Sequence, residues 1–316
     1  MASQTLFPMA DLHSHPLLPI RPFGTHIDIP RIKASGVKLM VCCVYALNRL
    51  PHRSCFEAAK GQIRQFERWV LENPDSIAHA RSASEIEPII STGKVAAVLA
   101  LEGGHHLSGD LSTLDFFAKA GVFYITLAHF LNNRIVRSSL FRDLSFGPPL
   151  RPFGRDLIAA MNAMGMIIDV AHCSEAAFWQ VMEASQTPPI YSHGGSRGLR
   201  DYHRNLRDGQ ARALAARGGL IGTILYPRFL KRGAYWGKID DVLRHLGHWL
   251  DLVGPEALAI GTDMNGARIV REIGDYAGLP RLQGAIVKAF GEGTARKILF
   301  NNTLNYMKSH WFKPIA

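Results

Sequence analysis

The sequence is short of cysteine, of clustered charge and of long apolar runs, and each shortage narrows what the protein can be. Four cysteines, Cys42, Cys43, Cys55 and Cys173, are spread over 316 residues. They have no C-x-x-C spacing, and Cys42-Cys43 sits inside an apolar run, so they are expected as reduced core residues. No apolar run approaches the ~20 residues of a membrane span, and no charged-then-apolar leader precedes the first motif. A cytoplasmic location without a membrane partner is the expectation. The net charge is +10, from 36 Lys plus Arg against 26 Asp plus Glu, but the basic residues are scattered. Nucleic-acid binding needs a clustered footprint, so the excess is read as solubility and attraction for anionic substrates.

What is present is ordinary globular composition, with 47% hydrophobic and 20% charged residues. The length exceeds the usual ~100–200 residues of one domain but suits an α/β barrel with insertions. No repeat, low-complexity tract or linker divides it, so residues 1–316 are expected to form one domain. Eight short apolar runs cover 6–10, 37–47, 94–101, 121–127, 165–171, 188–192, 218–226 and 257–262. Helix-patterned stretches alternate with them at 56–71, 111–120, 154–164, 175–185, 208–217 and 239–252, and 294–311 reads as a closing helix. Nearly continuous apolar runs suit strands buried on both faces of a parallel sheet. Eight such units predict a (β/α)8 TIM barrel, with a doubly wound open sheet as the alternative. The segment 132–152, with Pro148, Pro149 and Pro152, reads as a lid or substrate-binding excursion.

The first run leads into residues 11–15, D-L-H-S-H. Side chains alternate along a strand, so His13 and His15 point to one side and converge on one point. Neutral imidazole is the commonest metal ligand, and the pair supplies half of a tetrahedral site. In a barrel the chemistry gathers at the C-terminal ends of strands. Glu102 (L-E-G-G-H) follows the third run, His129 (L-A-H-F) the fourth, His172 (D-V-A-H-C-S) the fifth, His193 (Y-S-H-G-G) the sixth and Asp263 (G-T-D-M-N-G) the eighth. Singly, each is more often a satisfied loop or core residue. Together they would be crowded without a cation, because such groups are rarely buried unless paired or metal-bound.

Four histidines and one glutamate suffice for two divalent ions if Glu102 bridges them, with His13 and His15 on one ion and His172 and His193 on the other. A water held between two such ions becomes a hydroxide nucleophile near neutral pH. Asp263 is then a terminal ligand or the general acid/base, and His129 polarises a carbonyl or steadies its oxyanion. Asp169 is expected inside the barrel or behind a ligand. Arg204, in H-R-N-L-R-D at 203–208, is either one of several solvated arginines or a bidentate clamp for a substrate carboxylate.

In order, L-E-G-G-H, L-A-H, the stretch from P-F-G to D-V-A-H-C-S at 152–174, P-P-I-Y-S-H, R-N-L-x-D and G-T-D-M-N-G resemble the membrane (renal) dipeptidase family of zinc peptidases, in the amidohydrolase superfamily. The similarity runs from residue 11 to about 306, and 152–174 is its most specific part. The resemblance implies a barrel with two zinc ions per chain, other divalent metals being possible, and hydrolysis of small dipeptides. It places Glu102 on the bridging carboxylate, His13 on the first ligand, and His172 and His193 on the second metal. Asp263 falls on the acid/base, His129 on the carbonyl contact, and Arg204 on the substrate carboxylate. Family members are commonly homodimers. Three positions depart from the pattern: His15 stands where the family has Asp, Asn265 replaces its second acid, and its C-terminal G-N-x-x-R reads here as 301–305, N-N-T-L-N. An amidohydrolase acting on another amide, a lactone or a biosynthetic intermediate, and an inactive metal-binding homologue, are the competing functions.

Overall fold

Every strand pairing found is parallel, as near-continuous apolar runs dictate when helices cover both faces. The computed structural model describes residues 7–18, 25–46, 52–107, 109–140 and 147–311. Its strands are β1 (Met9–Ser14), β2 (Val37–Val44), β3 (Ile77–His79), β4 (Val95–Glu102), β5 (Val122–Thr126), β6 (Ile167–Asp169), β7 (Tyr191–Gly194), β8 (Ile221–Thr223) and β9 (Leu258–Ile260). One sheet runs β1-β2-β4-β5-β6 and a second β7-β8-β9.

Two bridges join the sheets into a ring. Asp169 pairs with Ile190 between β6 and β7, where Val170 N–H donates to the Ile190 carbonyl at 2.9 Å. Ser14 pairs with Met264 between β1 and the end of β9, where Asp263 N–H donates to the His13 carbonyl and His15 N–H to that of Met264, both at 2.9 Å. Eight strands therefore close a (β/α)8 barrel. The ninth, β3, was not expected; it pairs with the first residues of β4 from Ile77–Val95 to His79–Ala97.

Helices fill the intervals as their sequences require. Pro152 opens Pro152–Met164, and Gly165 ends it at φ 65°. Ser174 caps Glu175–Ala184 by accepting from Ala177 N–H. The closing stretch is helical from Glu292 to His310, interrupted by a π turn at Lys297–Asn301. Ile29–Ser35, Ala83–Ser91 and Leu279–Phe290 are further helices. No described helix is long and apolar enough to cross a membrane.

The barrel interior holds mostly small and medium side chains, including Ala10, Leu12, Val41, Cys43, Val98, Ala100 and Ala259, with the larger Tyr124 among them, all 0–1% exposed. Larger side chains fill the layer between strands and helices. The first strand lies later than expected: it is Met9–Ser14, so His13 is inside it and does not follow it. With Ala10 and Leu12 facing inward, strict alternation would turn His13 outward. A bulge between Asp11 and Ser14, opposite Met40 and Cys42 of β2, prevents this. Such an extra residue re-aims the side chains after it, and His13 meets interior Tyr124 and Cys43.

Candidate active site

Glu102 ends β4 at the barrel mouth and is 4% exposed. Its Oε1 lies 3.0 Å from His172 Nε2 and 3.6 Å from the Nε2 atoms of His13, His129 and His193. Its Oε2 faces the other way, 3.3 Å from His15 Nε2. Asp263 Oδ1 stands 3.6 Å from His15 Nε2 and 3.9 Å from His13 Nε2. The five histidines, the glutamate and the aspartate singled out in the sequence thus meet at one place. Within it, three overlapping groups have the compactness of a cation site: His13–Glu102–His193, His13–His15–Asp263 and Glu102–His129–His172.

The rings are held from behind. Tyr124 O–H donates to the Leu12 carbonyl at 3.1 Å, so its oxygen accepts from His13 Nδ1–H at 2.7 Å. Ser192 O–H donates to Asp169 Oδ2 at 2.6 Å, and its oxygen accepts from His193 Nδ1–H at 2.8 Å. Both arrangements leave Nε2 as a lone pair aimed at the centre. Asp169 also accepts from Thr126 Oγ1 and from the N–H groups of Ala171 and Ser192. It is the interior support expected of it.

The backbone is strained where it presents these groups. The non-glycine residues at positive φ among those described are His172 at 65°, Asp263 at 57° and Asn265 at 67°, all at the mouth, where such conformations are sparsely populated. Two glycines permit close approach. Gly103 has φ 103°, and a Cβ there would come within 2.3 Å of His105; at Gly266 it would come within 2.2 Å of Asp263 Oδ1.

Electrostatics separate the groups. Burial opposes ionisation of Glu102, but the imidazoles around it, His129 foremost, hold its carboxyl well below the usual carboxylate range. Burial, with the Arg204 charge, pushes His172 well below the ordinary histidine value. Burial first, then His13 and Arg204, does the same to His193. His129 is lowered to about 4, chiefly by burial. Asp263 is raised to about 6 by burial, with Glu102 adding to it.

Arg204 is not a solvated arginine. It is 5% exposed, donates from Nη2 to His193 Nε2 at 2.9 Å, and lies over the Phe229 ring. Neighbouring Arg197 and Arg207 pair instead with Asp201 and Glu175. The mouth opens into a cleft of about 1250 Å³.

A model of the membrane dipeptidase family, peptidase family M19, matches residues 6–310. The chain belongs to that family. Membership places it among hydrolases that act on peptide bonds. Among relatives of this family member, an uncharacterised protein from the pqqA 5′ region of Klebsiella pneumoniae is 32% identical over 240 residues, covering 73% of this chain and 88% of its own. Dipeptidase tcpJ of Claviceps purpurea is 26% identical over 300 residues, covering 92% and 70%. Two solved structures share the barrel: dipeptidase AC, a metallopeptidase, with a TM-score of 0.89 and 23% identity over 98% of this chain and 100% of that one; and a Rhodobacter sphaeroides metallopeptidase bearing a phosphinate mimic of L-Ala-D-Ala, with 0.88 and 22% over 97% and 100%.

Several residues of the site were not legible as such in the dipeptidase-family sequence. Tyr45 follows β2, and its ring lies 4.7 Å from that of His129; in the sequence it sits inside the apolar run 37–47, which hid it. Asn265 Oδ1 accepts from His26 N–H at 2.7 Å, and Asn265 N–H donates to His26 Nδ1 at 3.1 Å. The residue replacing the family's second acid therefore ties the 25–28 segment to the loop after β9. The excursion at 132–152 is stitched to the site by Ser139 N–H donating to the His172 carbonyl at 2.7 Å; its residues 141–146 lie outside the described set.

Proposed function

We propose that this protein is a zinc-dependent dipeptidase that cleaves a small peptide with a free C-terminal carboxylate, using His13, His15, Glu102, His172 and His193 to hold two divalent ions. The observation that carries the reading is Glu102, whose two oxygens face separate imidazoles within 3.6 Å. A cation fits the donor set on chemical grounds. His13 Nε2 is buried without a hydrogen-bond partner, and the Nε2 atoms of His172 and His193 face each other at 3.2 Å. Converging nitrogen lone pairs and carboxylate oxygens, withdrawn from water, are the ligand chemistry of zinc. When bound, such ions supply Lewis acidity and make water nucleophilic near neutral pH.

The chain's own residues do the rest. Asp263, with a carboxyl raised to about 6 by burial, takes a proton from the attacking water and passes it to the leaving nitrogen. His129 stays neutral in its buried position and donates an N–H to the carbonyl oxygen. Arg204 presents a buried guanidinium whose Nε has no partner, and it holds the substrate carboxylate.

Elemental analysis combined with a panel of L,L- and L,D-dipeptides tests this. The protein should carry divalent metal and hydrolyse members of the panel. Asp263→Asn should lower turnover by at least about 100-fold with metal content nearly unchanged; full activity in that variant would refute the assigned role.

A further inference from the structure

The cleft is far larger than a small dipeptide needs, and its outer wall is basic. That wall comes from two segments, 226–236 after β8 and 263–274 after β9. Arg228, Lys231, Arg268 and Arg271 line it together with Tyr235 and Trp236. No described carboxylate forms an ion pair with any of the four cations. The acids in the cleft, Glu102 and Asp263, are engaged with histidines at its floor.

Aromatic rings fix two of these cations. The Arg268 guanidinium lies 3.6 Å from the Tyr235 ring centroid and 5.6 Å from that of Trp236, and Arg271 lies 5.7 Å from Trp236. Tyr235 and Trp236 are 56% and 54% exposed and adjacent, their ring centroids 4.9 Å apart, and a contiguous exposed apolar patch in a cleft is the kind that meets a ligand. Stacking orients a guanidinium without consuming its N–H groups. The result is a preset fork of donors facing solvent inside a cavity whose floor holds the hydrolytic residues.

We propose that this wall is a subsite for an anionic group at the end of a substrate side chain, so that the preferred substrates are dipeptides with an acidic arm beyond the α-carboxylate held by Arg204. This rests on the dipeptidase reading for the scissile bond, and goes beyond it in naming the substrate class. The like-charged segments also raise the local concentration of anions at the mouth, an effect weakened by salt.

The test uses matched arms. Dipeptides of alanine and lysine, in both orders, are prepared with the lysine Nε succinylated, ending in a carboxylate, or acetylated and neutral. The wild-type protein should favour the succinylated peptide in kcat/KM by about tenfold, less at high salt, as two or three partly exposed charge contacts allow. In an Arg268→Ala/Arg271→Ala variant the succinyl-to-acetyl ratio should fall toward one. A ratio near one in the wild type, or a preference that survives in the variant, overturns the subsite. If neither peptide nor the simple dipeptide panel is cleaved, the dipeptidase reading fails separately. Calorimetric binding of the same two peptides to wild type and variant then decides the subsite by the same ratio.

Discussion

His13 and Tyr124 form a buried pair at the heart of the barrel: the phenol oxygen lies 2.7 Å from His13 Nδ1 and donates its own proton to the Leu12 carbonyl. The contact settles which nitrogen of His13 faces the site. Tyr124→Phe leaves the ring packed in the interior but releases that choice. Groups that orient a metal-binding imidazole are worth about 10–100-fold in metal affinity. The variant should bind zinc at least tenfold more weakly with a near-native circular dichroism spectrum. Unchanged affinity in a competition titration with a chelator would show that bulge and packing orient His13 by themselves.

Arg204 is joined to His193 through Nη2, so the side chain assigned to the substrate carboxylate rests against an assigned ligand. Arg204→Ala should raise KM for dipeptides by about 10–100-fold, as loss of a charge-assisted bidentate contact implies. Its effect on kcat should be much smaller. Equal losses in both constants would mean that the arginine acts on the reacting centre.

Chelation should destabilise the fold. The assigned ligands are buried on β1, β4 and β7 and just past the ends of β1 and β6, so a shared cation ties together strands far apart in sequence. Ligand at 100 times its dissociation constant stabilises by about 2.7 kcal/mol, which corresponds to roughly 5 °C in a chain of this size. Differential scanning calorimetry with EDTA, then with restored zinc or manganese, reads this directly. A melting temperature indifferent to all three treatments counts against a tightly held ion.

Acid should weaken the protein through histidines away from the mouth. His79, on β3, has neither ring nitrogen hydrogen-bonded and packs edge-on against Phe66. Burial, helped by Arg81, lowers its pKa to about 3, from 6.5 when unfolded. Between those values the unfolded chain binds the extra proton, so stability rises with pH across the window and is lost as pH falls below 6.5. The full slope for one group is about 1.4 kcal/mol per pH unit, and some solvent contact reduces it to roughly 1. His79→Phe keeps the ring contact and removes the titration. Its urea unfolding free energy should vary less between pH 6.5 and 5 than that of the parent, and parallel curves would exclude His79 as a source.

The barrel was legible because its strands are buried on both faces and read as unbroken apolar runs. β3 escaped notice because three residues, I-A-H, carry no run at all. The groups around Glu102 were legible for a related reason: polar residues that interrupt the ends of such runs have nowhere to go but the mouth. Arg204 was ambiguous in the sequence, since arginines at 197, 200 and 207 surround it. Burial distinguishes it, and Phe229, from the segment after β8, lies over its guanidinium.

The sequence by itself made the barrel and the histidines and acids at its mouth legible, because eight buried strands read as apolar runs and six of those runs end in such a polar group. Only the tertiary structure decided which way each group faces. The bulge that turns His13 inward, the opposed oxygens of Glu102, the strained φ angles of His172 and Asp263, and the basic wall beside Tyr235 and Trp236 all arise where distant segments meet. Side-chain direction and local charge depend on what packs alongside, and no short stretch of sequence contains its own neighbours.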